Sequence, residues 1–142
     1  MIKEFEMFHG IVLSRLTHKF GQIQISSMVN GDNSSYVING SIAIYIKFSK
    51  KRLTPWQFTF TNEHFNKIMV LSNQYPKVYV VFVCNDDGIC CISLEEFLIN
   101  ITNIEVNCTK SILISRSKNE QYGVSGTDGK LKYKISDSNI CL

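Results

Sequence analysis

The sequence predicts a single α+β domain, a hairpin-rich mixed and largely antiparallel sheet with about three helices. Three observations carry that prediction. The pairs Asn30-Gly31, Asn39-Gly40, Asp87-Gly88 and Asp128-Gly129 each stand between runs of strand-forming residues, and such pairs supply the positive φ that tight hairpins need. The run Lys77–Asn85 is apolar on both faces, the pattern of a central strand covered on both sides. Three further segments read as helices, from helical spacing, capping residues or both.

Taken in order, Met1 to about His18 places Ile2, Phe5, Phe8, Val12 and Leu16 at helical spacing, although Gly10 and the run Ile11-Val12-Leu13 would also suit the start of a strand. Strands follow over Gln22–Val29, Ser35–Ile38 and Ser41–Phe48. In the last, Ile42, Ile44, Ile46 and Phe48 point one way and Ala43, Tyr45 and Lys47 the other. Trp56–Thr61 alternates as well, with Trp56, Phe58 and Phe60 on one face. A helix over Asn62–Tyr75 has Thr61 or Asn62 as its cap, Glu63 in its first turn and Pro76 beyond its end. Strands Lys77–Asn85 and Ile89–Ser93 precede a helix over Leu94–Ile101, where Ser93 and Glu96 have capping-box spacing. Tyr122–Gly126 and Lys130–Ile135 read as a closing hairpin, which would set Lys130, Lys132 and Lys134 on one strand face. The 142 residues make one domain, with an α/β core over 1–105 and a strand and hairpin extension over 106–142.

Composition excludes several classes. Apolar residues make up 44% and charged residues 19%, which is a globular and not a disordered balance. No apolar run approaches the roughly 18 residues of a membrane span, and the acidic start Met1-Ile2-Lys3-Glu4-Phe5-Glu6 is unlike a signal peptide. A cytoplasmic location is therefore expected, with Cys84, Cys90, Cys91, Cys108 and Cys141 as free thiols. The net charge of +3 is mild, so clustering matters more than the total.

Chemistry-bearing motifs are scarce. No cysteine and histidine spacing matches a zinc site, and no metal is expected. His9, His18 and His64 lack partners at triad spacing and read as ordinary surface or half-buried histidines. The glycine-rich stretch from Tyr122 to Gly129 does not open a helix, so it is a hairpin and not a phosphate loop. No residue is assigned a catalytic role.

The densest signal is the basic segment at Lys47, Lys50, Lys51 and Arg52, which joins two strands and leads into the only tryptophan. Clustered cations attract phosphates, and Tyr45 or Trp56 would offer a ring for a base to stack on. The competing reading makes the cations a solvated connection that protects a sheet edge and Trp56 a core anchor.

The order helix, three strands, helix, strand, over roughly residues 1–85, resembles the core of the restriction-endonuclease-like (PD-(D/E)xK) superfamily. Lys47, in Ile44-Tyr45-Ile46-Lys47, occupies the place of the family lysine. The family acid two residues earlier would fall at Tyr45, and the acid before the strand near Asn39 or Ser41; neither is present. Asp32 is the sole carboxylate between Gln22 and Glu63. The resemblance implies a nuclease fold, with magnesium as cofactor only if cleavage is retained.

The expectation is a small soluble non-catalytic protein that binds a phosphate-bearing ligand, a nucleotide signal or a nucleic acid. It would do so through Tyr45, Lys47, Lys50, Lys51, Arg52 and Trp56, without a cofactor. Such a chain would suit an accessory, viral or mobile-element protein. Two alternatives stand beside it: a divergent metal-dependent nuclease centred on Lys47, and a protein-interaction module or inhibitor. A homodimer is allowed, most simply by sheet extension at a hairpin edge.

Overall fold

The computed structural model describes residues 1–28 and 33–137. The Asn30-Gly31 turn, Asp32 and Cys141 lie outside the described residues. The elements are α1 (Glu4–Phe20), β1 (Ile25–Ser27), β2 (Ser35–Ile38), β3 (Ile42–Ser49), β4 (Trp56–Thr61), α2 (Asn62–Gln74), β5 (Lys77–Cys84), β6 (Gly88–Ser93), α3 (Leu94–Asn100), β7 (Thr109–Ser115) and β8 (Gly123–Gly126). The chain is an α+β domain, as its hairpin signals predict.

The strands form two sheets where the sequence pointed to one. The first has the order β1-β2-β3-β5-β6, and the second β4-β7-β8. In the first sheet β1, β2 and β3 run antiparallel, β3 and β5 run parallel in register from Ile42 beside Lys77 to Ser49 beside Cys84, and β6 returns antiparallel. β4 does not fold back on β3. The connection over 50–55 carries it into the second sheet, where Trp56 to Thr61 face Ile114 to Thr109.

This division explains the core. On one face of the first sheet, Val12 and Leu16 of α1 pack on Ile38, Ile44, Ile46, Val81, Val83, Ile89 and Cys91. On the other, Ala43, Tyr45, Val80, Phe82 and Cys90 meet Trp56, Phe58 and Phe60 of β4, Ile68 and Leu71 of α2, Phe97 of α3, and Ile112 and Ile114 of β7. Removing this apolar area from water is the main driving force for folding. Both faces of β3 are thus covered.

Local differences from the sequence reading have simple causes. α1 continues through Gly10 and Ile11-Val12-Leu13, because Val12 and Leu16 are buried on the sheet and tertiary packing outweighs the glycine penalty. The first strand is limited to Ile25–Ser27. Residues 130–135 are not a regular strand; they touch β8 and Tyr122 through isolated bridges at Lys130 and Ile135. Lys130, Lys132 and Lys134 therefore share no strand face, although all three are exposed.

His9 is buried, at 3% exposure, and not a surface or half-buried histidine. Its Nδ1 lies 2.9 Å from the Tyr36 hydroxyl, and its ring lies against those of Phe5, Tyr36 and Phe48. Cys84, Cys90 and Cys108 carry free thiols. Cys91, one residue on and hence on the opposite face of β6 from Cys90, is disulfide-bonded, which corrects the expectation of free thiols throughout. No helix among the described residues is long and apolar enough to cross a membrane.

Candidate functional site

The basic connection over 50–55 leaves the carboxyl end of β3, beside the carboxyl end of parallel β5. Open sheets with parallel strands place ligands at this end, where neighbouring connections diverge. Here β3 departs to the second sheet, whereas β5 turns back into β6.

The backbone of the connection is braced at four points. Asn85 Nδ2 donates to the Lys50 carbonyl at 3.1 Å, and Trp56 Nε1 donates to the Lys51 carbonyl at 2.8 Å. The Lys51 N–H donates to Ser49 Oγ at 3.3 Å, and the Arg116 N–H donates to Thr54 Oγ1 at 2.9 Å. Lys50, Lys51 and Arg52 project from this frame into solvent. Lys50 Nζ lies 3.4 Å from Glu4 Oε2, an exposed pair of little energetic weight. Among the described residues, neither Lys51 nor Arg52 has an ion-pair partner.

The other expected site residues are elsewhere. Tyr45 and Trp56 are 2% and 1% exposed, so neither ring offers a face for a base. Trp56 lies edge-on to Tyr122, at 6.1 Å between ring centres, and its indole N–H holds the basic connection in place. Lys47 is half-buried at the seam between the sheets. Its Nζ donates to the Thr59 carbonyl at 2.7 Å and sits 5.0 Å from the centre of the Phe60 ring. Burial lowers its pKa, and burial together with the Lys47 charge lowers that of His64. Lys47 therefore occupies a polar group on β4 and is not a solvent-facing phosphate contact. The alternation along β3 is as predicted; the second sheet, which covers the Tyr45 face, was not foreseen.

A polar network beside the connection has no counterpart in the sequence reading. Arg116, just past β7, places Nη1 2.7 Å from Asp137 Oδ2 and Nε 3.4 Å from Asp87 Oδ2, and its guanidinium lies 4.8 Å from the centre of the Tyr122 ring. The Tyr122 hydroxyl donates to Asp87 Oδ2 at 2.6 Å, and Arg15 Nη1 donates to the Asp137 carbonyl at 2.9 Å. The hydrogen bond from Arg116 holds the Asp137 carboxyl below the usual range. These carboxylates satisfy Arg116, leaving the charge open to a ligand on Lys51 and Arg52. Only Asp87, in its turn signal, was conspicuous in sequence.

Among the described residues no three His, Cys, Asp or Glu side chains gather as metal ligands. Clefts of about 490 Å³ between the start of α2 and the start of β7, about 470 Å³ beside α2 and about 350 Å³ between the start of β5 and the start of α3 lie away from the basic connection. No family model, curated protein or solved structure matches the chain. Fold and site together define an α+β domain that presents a braced basic loop. Four strands, not three, separate α1 from α2, and the fourth belongs to the second sheet.

Proposed function

We propose that the protein binds a phosphate-bearing ligand, a nucleotide or a nucleic acid, at the basic connection over 50–55, without making or breaking bonds. The observation that carries this reading is the pair Lys51 and Arg52, exposed and without ion-pair partners among the described residues, on a backbone fixed by Asn85 and Trp56. A braced loop loses less entropy when its cations engage an anion. With Tyr45 and Trp56 in the core, attraction to phosphate dominates and base stacking contributes little, so the reading favours backbone recognition over sequence recognition. A cytoplasmic setting belongs to the same proposal.

The nuclease alternative has less support, since the Lys47 ammonium is engaged by the Thr59 carbonyl. Kinship with restriction-endonuclease-like proteins rests on element order alone.

The test is fluorescence anisotropy with labelled single-stranded DNA, single-stranded RNA and a nucleoside triphosphate, over a range of salt. The wild-type chain should bind at least one of them with salt-dependent affinity. Combined Lys50→Ser, Lys51→Ser and Arg52→Ser should abolish that binding while circular dichroism stays native. Unaltered binding by the folded triple variant would overturn the proposal. Retained binding of polynucleotides with none of the triphosphate would identify a nucleic acid as the ligand class. Adding magnesium and following strand length separates binding from cleavage.

A further inference from the structure

The outer face of α1 carries an exposed stripe with an internal symmetry, whose Glu4 and Arg15 also touch Lys50 and the Asp137 carbonyl of their own chain. Glu4, Met7, Ile11, Arg15 and His18 are spaced by three, four, four and three residues and are all exposed, so they form one line along the helix. Met7 is 62% and Ile11 37% exposed. The line reads acid, apolar, apolar, base, histidine, and its spacing is the same from either end, with Ile11 at the centre. We infer that this face pairs with the same face of a second copy, the two α1 helices antiparallel about a twofold axis at Ile11.

Charge complementarity supplies the partner's identity. In an antiparallel pair, Glu4 of each copy falls opposite His18 of the other and one turn from its Arg15, Ile11 meets Ile11 at the centre, and Met7 lies along the stem of the other copy's Arg15. Antiparallel packing also sets opposite ends of the two helix dipoles together. A twofold interface must be self-complementary in this way.

Gly10 is a separate observation. It sits inside α1 beside the stripe, and a Cβ built on it would meet nothing within 4 Å. Glycine weakens a helix interior relative to alanine, and no contact among the described residues requires it there. Close approach of a second helix would.

Strand addition, the other route to a dimer, is closed at two sheet edges, and β1 is the exposed edge of the first sheet. β6, at one edge of the first sheet, is buried along Gly88–Ile92. The outer side of β8 is occupied by the Leu131 N–H, which donates to the Val124 carbonyl at 3.0 Å, and by the Lys130 bridge to Ser125.

Sedimentation velocity on the full chain over a wide concentration range tests the inference. The expected result is a reversible equilibrium between the 16.2 kDa chain and its dimer. Ile11→Glu should lower self-affinity by about tenfold or more, as loss of a central interface residue does. Glu4→Arg and His18→Glu should each weaken association, and their combination should restore it. Gly10→Leu should block the dimer while helix content holds or rises. A chain that stays monomeric at every concentration would overturn the inference. So would a dimer indifferent to Ile11→Glu, or charge variants that fail to compensate one another.

Discussion

At the residue scale, the four cations that look alike in sequence have three different roles. Lys47 bonds the Thr59 carbonyl at the seam of the sheets, Lys50 pairs with Glu4, and Lys51 and Arg52 face solvent. Their contributions to phosphate binding should separate accordingly. Each cation that contacts a phosphate adds roughly one to the slope of log affinity against log salt. Lys51→Ser should thus reduce that slope by about one. Lys47→Met, which keeps an apolar stem over Phe60, should leave it unchanged. A slope that falls equally in both would return Lys47 to the binding surface. Trp56 acts on the same loop from beneath. Trp56→Phe removes the N–H that satisfies the Lys51 carbonyl, and loss of one buried hydrogen bond costs about 1–3 kcal/mol. Urea unfolding should register that cost, and affinity for polyanions should fall although no charge has changed.

At the element scale, the last hairpin is fixed by close approach and not by hydrophobic burial alone. A Cβ at Gly126 would lie 2.4 Å from the Asn100 carbonyl oxygen, and one at Gly129 would lie 2.4 Å from that of Ile99. At Gly123 the nearest atom, Ser115 Oγ, is 3.4 Å away and belongs to a side chain that can turn. Gly126→Ala and Gly129→Ala should therefore each destabilise by about 2 kcal/mol or more, whereas Gly123→Ala should cost under about 1 kcal/mol. Equal midpoints in urea for all three variants would show that the hairpin does not dock on the end of α3 in this way. The turn was legible in sequence, because Asp128-Gly129 is a local signal, but the second strand expected after it is reduced to isolated bridges. Also legible were α2 and α3, whose caps at Thr61 and Ser93 accept from the His64 and Glu96 N–H groups as their spacing predicts. The partner of β4 was not legible. Pairing of Trp56–Thr61 with Thr109–Ser115 joins residues some fifty positions apart, and alternation reveals a strand's faces but not its neighbour. From that one gap came the misplacement of Tyr45 and Trp56: their faces were assigned correctly, and the sheet that covers them was missing. The basic loop needed no such knowledge, since its charge and its place after a strand are both local.

At the scale of the whole molecule, the Arg116 network ties together parts distant in sequence: α1 through Arg15, the turn between β5 and β6 through Asp87, β7 through Arg116 itself, and the C-terminal segment through Asp137. Its dependence on pH follows from the lowered pKa of Asp137. A carboxyl whose folded pKa lies below its unfolded value of about 3.9 adds stability above that value and loses it as pH falls through the folded pKa. The Arg116 and Asp137 side chains are 23% and 43% exposed, so solvent screening limits the contribution to less than about 1 kcal/mol. Other carboxyls also lose stabilising partners in acid, Asp128 beside Lys110 among them, so the wild-type curve alone does not isolate Asp137. The difference between wild type and Asp137→Asn does. The asparagine keeps an oxygen for Arg116 to bond but does not ionise. It should be less stable than wild type at neutral pH and should converge on it as the pH falls below about 4, where the native carboxyl takes up its proton. Urea midpoints at a series of pH values measure this directly. A stability gap that stays constant across that window would mean that Arg116 draws its hold on the C-terminal segment from packing on Tyr122 and not from the Asp137 charge.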